Sequence, residues 1–425
     1  MNIFDQLLAD NQIPKFVRVC HEMDHSHIDD IEGAVAQAMR REGTLDRIKP
    51  GDSVCITAGS RDVANIARII RAICDQVKSV GAHPFIIPAM GSHAGAKAEG
   101  QRGIIEGYGV TEEAMGAPIR ASMDTEVIAH SRSGLEIHLD KFANAADFLI
   151  PVGRIKAHTD FRGEVESGIC KMLVIGMGKQ HGAYQCHKLG FKSMAANVKE
   201  FAGGIIEKKP NMFAIGLIEN AYHQTCRIEA IPAGRILAEE PPLLEYAKSR
   251  MAKVPFDQAD ILFVDETGKD ISGAGMDPNV TGRSPVLGIS RPFFQRIAVF
   301  DLTDKSHGNF GGLGSADVTT QRLYRKIDFE QTYPNGITAA EPLAVRLPAV
   351  MPSDRTAMQF ALRTATDCDW EKGPRIVWLK NTLSLSEFYI SEALIPDAEA
   401  LDNVTIVSEP MEVIFDEEGN VKELR

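Results

Sequence analysis

Residues 53–93 read SVCITAGSRDVANIARIIRAICDQVKSVGAHPFIIPAMGSH. The stretch opens with a short apolar run, Val54-Cys55-Ile56-Thr57, that stops at Gly59. From Ala64 to Val80 the residues Ile66, Ile69, Ile70, Ile73 and Val77 recur at helical spacing, and Gly81 supplies a C-terminal stop. Pro84 to Met90 is a second apolar run, closed by Gly91. Strand, helix, strand with glycine turns is a βαβ unit, because parallel strands need such a crossover. The stretch predicts an α/β fold in which ligands sit outside the carboxyl ends of the strands.

The pattern continues outward. An opening strand is expected over 13–21, a helix over 29–41, strands over 146–152 and 213–218, and helices over 187–206 and 241–251. Val254-Pro255-Phe256 interrupts the alternation. It resumes with strands at 260–264, 296–302 and 375–379, a helix at 356–362, and two short strands within 404–424 joined at Glu418-Gly419-Asn420. The expected architecture is two α/β domains with parallel-type sheets and an active-site cleft between them. The expected boundaries are 1–255, 256–400, and a strand pair over 401–425 that returns to the N-terminal domain.

With 425 residues, 44% hydrophobic and 24% charged, the composition is that of a globular protein of two or three domains. The net charge of −12 argues against a general nucleic-acid or anionic-membrane binder. No apolar run reaches the roughly 18 residues of a membrane helix. Met1 to Asp5 has no basic region before an apolar stretch, so no signal peptide is expected. The seven cysteines are scattered and form no C-x-x-C pair, which fits reduced thiols in the cytoplasm.

Several motifs fail on inspection. Gly176 to Gly182 reads G-x-G-x-x-x-G, one residue too long for a dinucleotide fingerprint. Gly163 to Lys171 holds G-x-x-x-x-G, but its lysine is displaced from the P-loop position. His21-Glu22-Met23-Asp24-His25 matches H-E-x-x-H, yet it follows the opening strand rather than sitting on a helix, so a polar loop is expected.

Four loops carry chemistry. Gly59-Ser60-Arg61-Asp62 offers a hydroxyl and a guanidinium before a helix, suited to a phosphate or carboxylate; Ser60 as a plain N-cap is the other reading. Gly91-Ser92-His93 puts an imidazole at a strand's carboxyl end, where it serves proton transfer or bonds the loop backbone. Arg154, Lys156 and His158 crowd one turn of an acidic protein, which suggests an anion among them or a solvated basic turn. In Ser167-Gly168-Ile169-Cys170-Lys171, the lysine opens an apolar run, where it is costly unless paired or covalently used. His187 follows as a candidate metal ligand, and Cys170 and Cys186 read as buried structural thiols.

Over about residues 50–190 this ordered set resembles the nickel-dependent lactate racemase family. That family has a threonine-arginine-proline loop, a glycine-threonine-histidine turn, a proline-histidine turn, and a serine-glycine-glycine-x-lysine segment with a histidine downstream. The matching pieces here are Ser60-Arg61, Gly91-Ser92-His93, Lys156-Ala157-His158, Ser167 to Lys171, and His187, with the family's lysine-to-histidine spacing. The resemblance departs at Asp62, where the family has proline, and in the longer His158-to-Lys171 interval.

The resemblance implies a cofactor-binding N-terminal domain, a substrate-capping second domain and a nickel pincer nucleotide derived from pyridine dicarboxylate. Lys171 would tether it, His187 would ligate the nickel, and Ser60, Arg61, Lys156, Ser167 and Gly168 would hold cofactor or substrate. His93 and His158 would act as bases on opposite faces of a 2-hydroxy acid whose C2 hydrogen leaves and returns as hydride. Where the family uses glutamine and lysine for the substrate carboxylate, Gln321, Arg322 and Arg325 stand nearby in sequence; a solvated helix face is the other reading of these arginines. Asn279, Arg283, His307 and Asn309 in the loops of the second half suit a polyhydroxylated sugar acid. Two other functions stay open: a zinc or iron hydrolase or lyase built on His93, His158 and His187, and a non-catalytic binder of the cofactor or of a small acid. The sequence leaves open whether copies of the chain associate.

Overall fold

The computed structural model describes residues 3–60, 63–284, 289, 291–339 and 341–425. The chain divides into two compact units, Asp24–Met251 and Met1–Met23 with Ala252–Arg425.

In the first unit the βαβ segment forms as the sequence predicts. Ser53–Ala58 pairs in parallel with His83–Pro88 on one side and Phe148–Ile150 on the other. The crossover helix Ile66–Ser79 turns Ile66, Ile69, Ile70, Ile73, Cys74 and Val77 inward. Each such isoleucine stabilises the fold by about 1.5–3 kcal/mol through burial. Gly81, at φ +78, ends the crossover where a side chain would be strained. Pro151 divides the third strand: Phe148–Ile150 stays with Ser53–Ala58, while Val152–Arg154 pairs with Phe213–Glu219. Proline offers no N–H to the ladder, so the chain changes partners there. A second three-stranded sheet results, completed by Thr225–Pro232 antiparallel to Phe213–Glu219. The hairpin of Thr125–His130 and Glu136–Asp140 completes the strands of this unit among the described residues.

The second unit is built on an eight-stranded sheet. Ala349–Met351, Val318–Thr320, Phe293–Leu302, Gln258–Thr267 and Ile376–Leu379 run parallel, in that order. Glu387–Ser391, Phe16–His21 and Val404–Ile406 extend it with antiparallel pairings. Phe16, Phe263, Phe300 and Trp378 cluster in its core, with Trp378 edge-on to the three phenylalanines.

The α/β class with parallel sheets is as the sequence predicts, and the division of the chain differs. The opening strand was expected in an N-terminal domain of residues 1–255. It pairs instead between Glu387–Ser391 and Val404–Ile406, because its alternating inward residues, Val17 and Val19, complete the core of the C-terminal sheet. The helix expected over 187–206 is two helices, Lys179–His187 and Met194–Lys208, separated at Gly190, which has φ +75. His21 ends a strand and His25 is exposed, so the H-E-x-x-H match has no helix under it.

Candidate active site

Three adjacent parallel strands deliver the candidate residues of the first unit at their carboxyl ends. Ser53–Ala58 leads to Ser60, His83–Pro88 to His93, and the strand split at Pro151 to Lys156 and His158. Arg61 and Asp62 lie outside the described residues.

Ser60 and His93 form one pair: the Ser60 hydroxyl bonds His93 Nδ1, and Tyr108 donates its hydroxyl to the Ser60 carbonyl at 2.8 Å. The turn after His93 is strained, since Ala94, Gly95 and Ala96 all have left-handed φ between 54° and 64°. Two non-glycine residues there cost on the order of 1 kcal/mol each. Gln101, almost fully buried, stabilises the turn by donating to the carbonyls of Gly91, at 2.9 Å, and His93, at 3.2 Å.

His158 and Lys171 form the second pair. Lys171 Nζ stands 2.5 Å from His158 Nε2. His158 Nδ1 accepts the Asp160 N–H at 2.9 Å, so the neutral ring carries its proton on Nε2, facing the amine. That arrangement suits the lysine as acceptor, which is the nucleophilic form of an amine. The His158 ring stacks on Phe161 with centroids 4.2 Å apart. Burial holds its pKa well below the ordinary 6.5, and the positive charges of Lys156 and Arg162 push the same way.

Lys171 ends the short helix Ile169–Lys171 and runs into a π-helical turn, Met172–Gly176. Such turns recur at functional sites because they re-aim side chains. The helix Lys179–His187 follows and carries His187, whose Nδ1 donates to the Ala183 carbonyl at 2.6 Å. The proton is thereby fixed on Nδ1, and Nε2 is the nitrogen with ligand character. Burial lowers the His187 pKa, against the bond to the Ala183 carbonyl, which raises it. A Cβ on Gly59 would stand 3.3 Å from Met172, and one on Gly91 3.1 Å from Ile175, so the Ser60 and His93 turns abut the segment between Lys171 and His187.

Several supporting residues escaped the sequence reading. Glu219 accepts the Ala64 N–H at 2.8 Å and the Arg154 guanidinium at 2.6 Å, tying two of the loops together. Arg154 is thus committed to Glu219. Glu166 accepts the His158 N–H at 2.7 Å. Lys179, fully buried at φ +54, pairs with Asp140 at 3.2 Å and donates to the Pro88 carbonyl. Glu240 was visible in principle, as an acid on the buried stripe of Ile236, Leu243, Leu244 and Ala247.

Two groups expected at the site have partners within the protein. Ser167 and Gly168 were expected to hold cofactor or substrate. In the structure the Ser167 carbonyl accepts the Lys156 N–H at 3.0 Å, and the N–H groups of Ile169 and Cys170 are bonded to Glu240, so the turn is already occupied by a carboxylate. Arg322 was expected to bind the substrate carboxylate. It is engaged with Asp354 at 3.1 Å and Asp301 at 3.7 Å. Arg325 is exposed and Gln321 half-buried on the same short helix, Gln321–Arg325. The loop residues read as sugar-acid contacts are also used internally: Arg283 bonds Asp317 at 2.6 Å, and Asn309 bonds the Gln331 carbonyl at 2.8 Å. Sequence distance alone could not reveal those partners.

A similar fold occurs in the structure of the lactate racemase apoprotein from Thermoanaerobacterium thermosaccharolyticum. The TM-score is 0.53 at 15% identity, over 87% of this chain and 99% of that one. The chain has a lactate racemase-like fold. The SsfS6 glycosyltransferase of Streptomyces sp. SF2575 aligns over 74% of this chain and 94% of its own, at 9% identity and a TM-score of 0.17. No protein-family model matches the sequence, and no curated protein matches it. Among the described residues no helix is long and apolar enough to cross a membrane.

Proposed function

We propose that this chain is a racemase or epimerase that inverts C2 of a 2-hydroxy acid, and that it works with a nickel pincer nucleotide. The observation that carries this reading is the Lys171–His158 pair at 2.5 Å, followed on the next helix by His187 with its Nδ1 proton fixed. The donor set fits the group. An amine against a neutral imidazole suits a covalent tether, and one histidine with a defined ligand nitrogen suits a metal whose other ligands come from the cofactor. When bound, the pincer nucleotide supplies a hydride acceptor, a step that side chains do not provide.

The chain's own residues supply the rest. His158 is kept neutral by burial, and to accept a hydroxyl proton it must release the Asp160 N–H from Nδ1, its one lone-pair nitrogen. His93, oriented by Ser60, is the second base, so that each face of a planar keto acid has one. Lys156, near His158, adds positive charge for a carboxylate or phosphate. Gln321 and Arg325 remain candidates for the substrate carboxylate, and a sugar acid is the finer substrate proposal. The seven cysteines are all free, which supports a cytoplasmic setting.

The hydrolase or lyase alternative needs His93, His158 and His187 around one zinc or iron. Among the described residues no three metal-ligating side chains come together. No specific observation favours a non-catalytic binder.

The test is expression with a nickel-pincer biosynthetic pathway, followed by intact mass, metal analysis and incubation of single enantiomers of 2-hydroxy and sugar acids in D2O. The expected result is one nickel per chain, a mass increment lost in Lys171→Ala, and inversion with the C2 hydrogen retained. Inversion with deuterium entering C2 overturns hydride transfer. Stoichiometric zinc or iron without inversion overturns the racemase.

A further inference from the structure

The helix Ile236–Arg250 carries Glu240 and Lys248 eight residues apart, and therefore on one face. Glu240 is fully buried, and its Oε2 accepts the Cys170 N–H at 2.8 Å. A Cβ on Gly168 would stand 2.0 Å from Glu240 Oε1, so the glycine is what admits the carboxylate to the turn that leads to Lys171. Two turns further along, Lys248 Nζ pairs with Glu166 at 3.0 Å. Glu166, also fully buried, accepts the His158 N–H. One helix face thus grips both ends of a segment whose two ends meet in the Lys171–His158 bond.

Stability alone does not call for this arrangement. A leucine at 240 would continue the apolar stripe, and buried carboxylates carry a desolvation cost that apolar residues avoid. Charged groups repay that cost where one geometry must be fixed to a fraction of an ångström. We infer that Glu240 and Lys248 are positioning residues that hold the Lys171 amine against His158, and so set the amine's reactivity. The inference rests on the reading above only in giving Lys171 a covalent role; the reactivity itself is a property of the protein without cofactor.

The experiment acetylates the full-length protein, purified without cofactor, with N-hydroxysuccinimidyl acetate. Peptide mass spectrometry follows Lys171 and, as internal reference, Lys372, whose side chain is 84% exposed. Glu240→Ala and Lys248→Met are each expected to lower the Lys171-to-Lys372 rate ratio about tenfold. Glu240→Gln, which keeps an acceptor, and Lys248→Arg, which keeps the ion pair, are expected to stay within about twofold of wild type. A wild-type ratio in the first two variants, with cooperative melting retained, overturns the inference, and so does an equal fall in the conservative pair. Should Glu240→Ala fail to fold, the half-buried Lys248 decides the matter by the same criteria. Failure of the racemase reading would appear as absent inversion by loaded enzyme and would leave these ratios unchanged.

Discussion

At the scale of single residues, the site works by controlling which atom holds a proton. A backbone N–H fixes the His158 tautomer, a backbone carbonyl fixes that of His187, and a hydroxyl orients His93. The His158 pKa also has a thermodynamic consequence. Its folded value lies below the ordinary 6.5, so the unfolded chain binds a proton first as pH falls. The stability associated with His158 is therefore full above about pH 6.5 and is lost on acidification toward the folded value. Urea midpoints at pH 7.5 and pH 5 should converge in His158→Gln relative to wild type, with the remaining slope owed partly to His187, whose pKa burial also lowers. These histidines and Lys171 were legible in the sequence because each sits in a short motif after an apolar run. Glu166, Glu219 and Gln101 were not, because an acid or amide declares itself only through the backbone group it meets, and those groups come from distant segments. The cost of burying Lys179 gives a second test. Lys179→Met leaves Asp140 buried without its cation and should cost about 3–5 kcal/mol in chemical denaturation, whereas Lys179→Met with Asp140→Asn should cost clearly less.

At the scale of elements, periodicity revealed what it could. The Ile66–Ser79 helix and the apolar strands around it follow directly from spacing. The run from Met172 to Gly176 carries no period that separates a π-helical turn from a strand or an α-helix, and the break at Gly190 was masked by helix formers on both sides. The edge strand Ala349–Met351 and its neighbour Val318–Thr320 are too short to show alternation at all. The carboxyl end of Gln258–Thr267 carries a further expectation. Burial raises the Asp265 pKa to about 7, with Asp354 and Glu266 adding repulsion against the Trp378 Nε1 bond at 2.6 Å. A carboxyl raised in the folded state contributes stability below its ordinary 3.8 that is lost as pH rises toward 7. Asp265→Asn keeps the acceptor for Trp378 and removes the charge. It should match wild type near pH 4 and exceed it at pH 8 by on the order of 4 kcal/mol, read from denaturation curves at both values.

At the scale of the whole molecule, the two units are unequal in how they use the chain. Asp24–Met251 is continuous, while the other unit takes residues from both ends. The α/β class was legible because it follows from local alternation, but the membership of the first strand was not, because strand pairing is set by partners some 370 positions away. A fragment of residues 24–251 should melt cooperatively when expressed alone, with the His158 and Lys171 segment intact. Residues 252–425 alone should not, since the sheet then lacks the strand between Glu387–Ser391 and Val404–Ile406, and circular dichroism melts of the two fragments check both outcomes.

That strand also imposes an order of events at the ribosome. Phe16–His21 leaves the exit tunnel long before its two neighbours in the sheet, which follow some 370 positions later. At about 5–20 residues per second, the nascent segment waits on the order of tens of seconds with a bare, apolar strand while residues 24–251 emerge and fold behind it. The second unit can therefore close only after Val404–Ile406 has emerged. In the interval the N-terminal strand is the natural target for a holding chaperone, and a tag or fusion appended at that end would compete with the last pairing the molecule makes.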